Sequence, residues 1–123
     1  MGGVTSSWLR RLRLPWRRWR VVGQVDAADE LPESLAPKDA VLIGTLEQPR
    51  WIAFDCPCRD RHRVMLNLDR SRRPTWRLVR ADRLTIAPSV DELRQGVRCH
   101  YFVKAGRIEW VRSYIDHDKR PSV

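Results

Sequence analysis

Apolar residues along this chain fall into short runs separated by charged or Pro-containing breaks. The first run, Val21-Val22-Gly23-Gln24-Val25, has the β-branched content of a strand. Residues 40–46 and 51–54 repeat that character on either side of the turn Glu47-Gln48-Pro49-Arg50. A strand resumes at 64–68 after a polar loop. Residues 75–80 alternate apolar with polar, which predicts a strand with one wet face. Leu84-Thr85-Ile86 is a further short β-prone piece. Residues 99–103, the turn Lys104-Ala105-Gly106-Arg107 and residues 108–111 predict a β-hairpin. Ser89-Val90-Asp91-Glu92 departs from this trend. It places Ser three residues before Glu, the signature of a capping box, and predicts a brief helix to about Gln95, closed by Gly96. The pattern as a whole predicts a mostly β domain: a small sandwich or two packed antiparallel sheets, with a C-terminal hairpin and one short helix. That domain is expected over 20–112, between an arm at 1–20 and a flexible tail at 113–123.

Composition narrows the class. A chain of 123 residues with 42% hydrophobic content suits one globular domain and excludes wholesale disorder. It is too short for a TIM barrel or a two-domain dehydrogenase. No apolar run approaches the roughly 18 residues that span a bilayer. The net charge of +9 is unevenly placed: residues 1–20 hold six Arg and no acid. Arg10, Arg11, Arg13, Arg17 and Arg18, with Trp16 and Trp19, are therefore candidate partner-binding residues. Arg can contact phosphate, and Trp can stack on bases or sit at a membrane interface, so such an arm could take either nucleic acid or anionic membrane as a partner. Three cysteines are an odd number for a secreted disulfide scaffold, and Arg interrupts every apolar stretch near the N-terminus. A reducing cytoplasm is the expected compartment.

The strongest local feature is Phe54-Asp55-Cys56-Pro57-Cys58-Arg59-Asp60-Arg61-His62. Thiolate and imidazole are the ligands zinc prefers. A second cluster, Cys99-His100, opens the terminal hairpin. Cys56 and Cys58, with a pair drawn from His62, Cys99 and His100, would complete four ligands. Neighbouring strand residues point to opposite faces, so at most one of Cys99 and His100 faces the Cys56 loop unless a bulge intervenes.

The order of motifs resembles a small bacterial domain family of unassigned function. The shared run is Cys-Pro-Cys after an apolar strand, then Arg-Pro-x-Trp, Leu-Thr-x-x-Pro-Ser, His followed by two aromatics, and Gly-Arg-Ile-x-Trp. It covers roughly residues 20–112. Members are encoded near ubiquitin-like proteins and their activating and conjugating enzymes. The match puts Asp60 where relatives carry a third cysteine. It puts Val97, Cys99 and His100 where they carry cysteine, serine and histidine. The resemblance implies a zinc site in which Asp60, His62, Cys99 or His100 stands in for the missing cysteines. It also implies a role on a ubiquitin-like protein or its conjugating machinery, as a processing or deconjugating peptidase or its accessory subunit. Candidate catalytic residues are His100, Cys99 and Asp60. Asp55, Glu109 and Ser89 are also competent, but Ser89 is read as the helix cap, Asp55 as a strand end and Glu109 as an outward hairpin residue. The alternative is a non-catalytic, zinc-stabilised binding module acting through the Arg/Trp arm.

Overall fold

The computed structural model describes residues 17–111. Among the described residues, eight strands form two four-stranded sheets. The first sheet contains β1 (Arg20–Val25), β2 (Asp39–Gly44), β3 (Pro49–Asp55) and β4 (Arg63–Asn67), in that order. The second contains β5 (Arg77–Arg80), β6 (Thr85–Arg94), β7 (Val97–Lys104) and β8 (Arg107–Trp110). All neighbours are antiparallel except β1 and β2, which run parallel. The mostly β expectation and the terminal hairpin are both observed.

The inner faces of the sheets share one core, built from Leu42, Ile52, Phe54, Val64 and Leu66 on one side and Ile86, Val90, Tyr101 and Val103 on the other. Trp19 sets its ring edge-on to Phe54 at 5.6 Å between centroids. Its main chain bonds to Gly106 and Leu84, so the residues just ahead of β1 tie into the second sheet. Gly106 has φ +77, and a Cβ there would lie 2.6 Å from Arg18 Cβ, so this turn requires glycine. β2 is buried on both faces, because Val41 also packs with Leu35 beneath the 26–38 segment. That explains its unbroken apolar run.

The helix expected from Ser89 to Gln95 is absent, and those residues lie in β6 and the turn after it. Among the described residues the helical content is one 3-10 turn at Ala28–Glu30. Two causes combine. Val90 and Glu92 alternate with Asp91 and Leu93, so β6 can bury one face against the core. Gln95 and Gly96 both take positive φ, at 50° and 82°, which closes a two-residue hairpin with β7. The same left-handed preference of glycine that ends helices serves a hairpin here, and long-range pairing overrides the local cap.

Candidate functional site

Two sites lie on opposite faces of the second sheet, and consecutive residues of β7 reach into them. Cys99 is buried toward the core, while His100 faces outward.

On the inner side, Cys56, Cys58, His62 and Cys99 place one ligand atom each, all within 4.8 Å of one another. The loop between β3 and β4 makes this possible. It is not extended at Cys56–Cys58, so both thiols turn to the same side. Cys56 N–H donates to His62 C=O at 2.8 Å, and Arg61 takes φ 51° to complete the return. At the loop's root, Asp55 accepts from Arg63 Nε at 2.8 Å and from the Leu35 N–H at 2.9 Å. Asp55 therefore braces the loop rather than solvating a strand end. Cys99 arrives from the other sheet, so the four residues bridge both layers of the fold.

The donor set fits a soft, four-coordinate metal ion. His62 Nε2 lies 2.6 Å from Glu92 Oε1, which leaves Nδ1 pointing at the cluster, 3.5 Å from Cys58 Sγ. A carboxylate behind a ligating imidazole fixes its tautomer and orientation. Tyr101 Oη sits 3.6 Å from Cys56 Sγ, where it can donate to a thiolate. Burial pushes the Cys99 thiol up to about 11, helped by the nearby Cys58, and raises the Cys56 thiol as well. Packing such thiols together around an imidazole has a clear purpose if a cation holds them. An ion held by all four residues would have no open position, the arrangement of structural rather than catalytic metal.

On the outer face, Ser89 Oγ lies 3.0 Å from His100 Nε2. The other ring nitrogen, Nδ1, is 3.9 Å from Asp91 Oδ2. Hairpin register assembles the group: Asp91 pairs directly with His100, and Ser89 lies two residues earlier on the same face of β6. A register shift between Ile86 and Val90 brings Ser89 in at this point. Trp76 donates its indole N–H to the Ser89 carbonyl at 3.1 Å, and Trp76 is placed by a loop that Asn67 organises through bonds to Asp69, Arg72 and Pro74 carbonyls. Asp91 is also held by Arg98 through both carboxylate oxygens. That contact, with the His100 charge behind it, lowers the Asp91 carboxyl below its ordinary range, so it is ionised at neutral pH. The His100 side chain is 20% exposed, so it can meet a ligand from solvent. A cleft of about 670 Å³, lined by Trp76, Leu78, Ala87 and Pro88, reaches the residues just before Ser89.

The remaining candidates distribute as follows. Asp60 sits exposed at the tip of the Cys loop, outside the four-residue cluster. His100 is also outside that cluster. Cys99 points away from His100 and is buried. Arg17 pairs with the buried Asp39, and Trp19 is core. Arg18 lies against Gly106. Arg10, Arg11, Arg13 and Trp16 lie outside the described residues. A second cleft of about 530 Å³ adjoins Cys56 and Pro57 and is lined by Arg17, Lys38, Arg107 and Trp110, remote from Ser89. Among the described residues no helix is long and apolar enough to cross a membrane. Sequence reasoning passed over Asp91 and Glu92. The signal for both was the pairing register that a Gln95-Gly96 hairpin turn imposes.

The fold and its sites define a class: a small two-sheet protein with a serine–imidazole–carboxylate group on one face and a Cys/His cluster able to hold a metal ion on the other. Residues 27–111 match the family model described as bacterial ubiquitination-like system serine protease (BubE), and the chain belongs to that family. It is thereby a component of a bacterial ubiquitination-like system. No curated protein and no solved structure matches the chain.

Proposed function

We propose that the chain is a serine peptidase that cleaves the acyl bond at the C-terminal tail of a ubiquitin-like protein, in processing or deconjugation. The observation that carries this reading is the 3.0 Å contact between Ser89 Oγ and His100 Nε2, a nucleophile within reach of its base. Ser89 Oγ attacks the scissile carbonyl carbon and passes its proton to His100 Nε2. Asp91, ionised and facing Nδ1, stabilises the imidazolium that forms. His100 then gives the proton to the leaving group, and the acyl chain stays on Ser89 as an ester. Water attacks that ester and gives a proton to His100; the ester C–O bond then breaks, Ser89 Oγ takes that proton back from His100, and the new carboxylic acid leaves and ionises. Apo hydrogen bonds of such groups tighten when substrate binds, which accommodates the 3.9 Å separation at Asp91.

Cys56, Cys58, His62 and Cys99 would hold zinc, and its contribution is to lock the β3–β4 loop onto β7. This sets Cys99, and with it the neighbouring His100, in place. Serine-directed fluorophosphonate labelling tests the proposal. The wild type is expected to label, and Ser89→Ala and His100→Ala are expected not to. Equal labelling of Ser89→Ala rejects the assignment.

A further inference from the structure

The edge of β6 next to Ser89 is open. Residues Arg94 and Val97 flank the two-residue turn and bond to each other across the hairpin, which directs the main-chain groups of Glu92 and Val90 toward β7 as well. The N–H and C=O groups of Asp91 and Leu93 therefore point the other way. The Val111 N–H, which donates to the His100 carbonyl from the far side of β7, confirms this alternation. On the Asp91 and Leu93 side, β5 pairs only as far as Ala87. The Ser89 carbonyl is taken by the Trp76 indole, and beyond it Asp91 and Leu93 have no main-chain partner among the described residues.

Folded proteins usually blunt such edges with prolines, bulges or a covering loop. Here the bulge and Pro88 lie before Ser89, and nothing described covers the stretch after it. Leu93 adds an apolar side chain that is 73% exposed. An unpaired edge, an exposed leucine and the serine are thus contiguous on β6, with His100 beside them on β7.

We propose that β6 is the substrate-docking strand, and that the peptidase takes an extended polypeptide tail as an added strand along Asp91–Leu93. Main-chain pairing recognises the tail without regard to its side chains, and Leu93 supplies the apolar contact. The added strand runs past Ser89, which sets the scissile carbonyl against the nucleophile. An extended, unpaired tail fits this edge, whereas a folded surface loop cannot satisfy its two donors and two acceptors in register. This inference deepens the peptidase reading and rests on it.

The test uses full-length Ser89→Ala protein and a synthetic peptide covering the C-terminal tail of the system's ubiquitin-like protein. Amide hydrogen exchange at Asp91 and Leu93 is expected to slow on peptide addition, and Leu93→Pro is expected to weaken peptide binding about tenfold or more by removing one edge donor together with the leucine side chain. The proline deletes an N–H that does not pair with β7, and a cooperative thermal melt checks that the variant folds. If Leu93→Pro does not fold, the exchange measurement on Ser89→Ala decides alone. Unchanged exchange at both amides under saturating peptide overturns the docking mode. Protection that rises with protein concentration and no peptide also overturns it, since the edge then serves self-association. Cleavage by wild type without protection leaves the peptidase standing and removes the strand-docking inference. Protection without cleavage does the reverse.

Discussion

Cys99 and His100 are neighbours in sequence, yet they serve two regions with opposite demands. The Cys99 region is buried, draws its residues from both sheets, and has His62 braced by Glu92 and Cys56 by Tyr101. The His100 region is half exposed, lies wholly within the second sheet, and is bordered by an unpaired strand edge. A site that holds a fold together gains from exclusion of water and from long-range links. The proposed peptidase site must stay open to substrate, and it borrows rigidity from what lies behind it. Strand alternation lets one residue step separate the two roles.

This contrast orders the expected effects of mutation. The largest belongs to the metal side: Cys99→Ser should remove bound metal and more than ~4 kcal/mol of stability, the magnitude associated with loss of a structural ion. Elemental analysis and a chemical melt check it; retained metal with an unchanged midpoint would show the two regions to be energetically alike. On the other face, Ser89→Ala should reduce kcat by roughly 10⁴-fold or more while leaving the melt within about 0.5 kcal/mol. A matching collapse of stability would erase the distinction between the two regions. Glu92→Gln should be intermediate and one-sided, weakening metal affinity by about 10–100-fold in a competition with a chromogenic chelator, because it loosens the His62 ring. Trp76→Phe deletes a single bond to the Ser89 carbonyl and should lower kcat by up to about tenfold with KM little changed. An equal loss in KM would make Trp76 a substrate contact rather than a positioning residue.

The smallest effect concerns pH. Asp91 has a folded pKa below its ordinary value, chiefly through Arg98, so its contribution to stability is present above the unfolded value of about 3.9 and is lost as pH falls through the folded one. The carboxylate is 43% exposed, and solvent screening limits the contribution to a few tenths of a kcal/mol. Urea midpoints of wild type and Asp91→Asn should differ slightly at pH 6 and converge in strong acid. Divergence on acidification would have the wrong sign.

Much of this organisation was legible in the chain. Period-two alternation and Pro/Gly breaks marked the strands, because burying one face of a pleated strand requires that pattern. The Cys-Pro-Cys loop and Cys99 were chemically conspicuous, and strand alternation already allowed only one of Cys99 and His100 to face that loop. The 89–95 segment departs from its local signals for a physical reason. A Ser-x-x-Glu spacing followed by Gly satisfies both a capped helix and a strand entering a hairpin, and local rules cannot rank them.

Residue chemistry by itself determined that this is a small basic β domain with soft metal ligands and an imidazole in its terminal hairpin. Those properties follow from composition and short-range pattern, which act along the chain. Only the tertiary structure decided which residues meet. Closure of the turn at Gln95-Gly96 set Asp91 opposite His100, the shift in β6 brought Ser89 to the same imidazole, and packing of the two sheets carried Cys99 to the Cys56 loop. Pairings between strands depend on register and on burial shared by distant segments, and neither is a property of any one stretch of sequence.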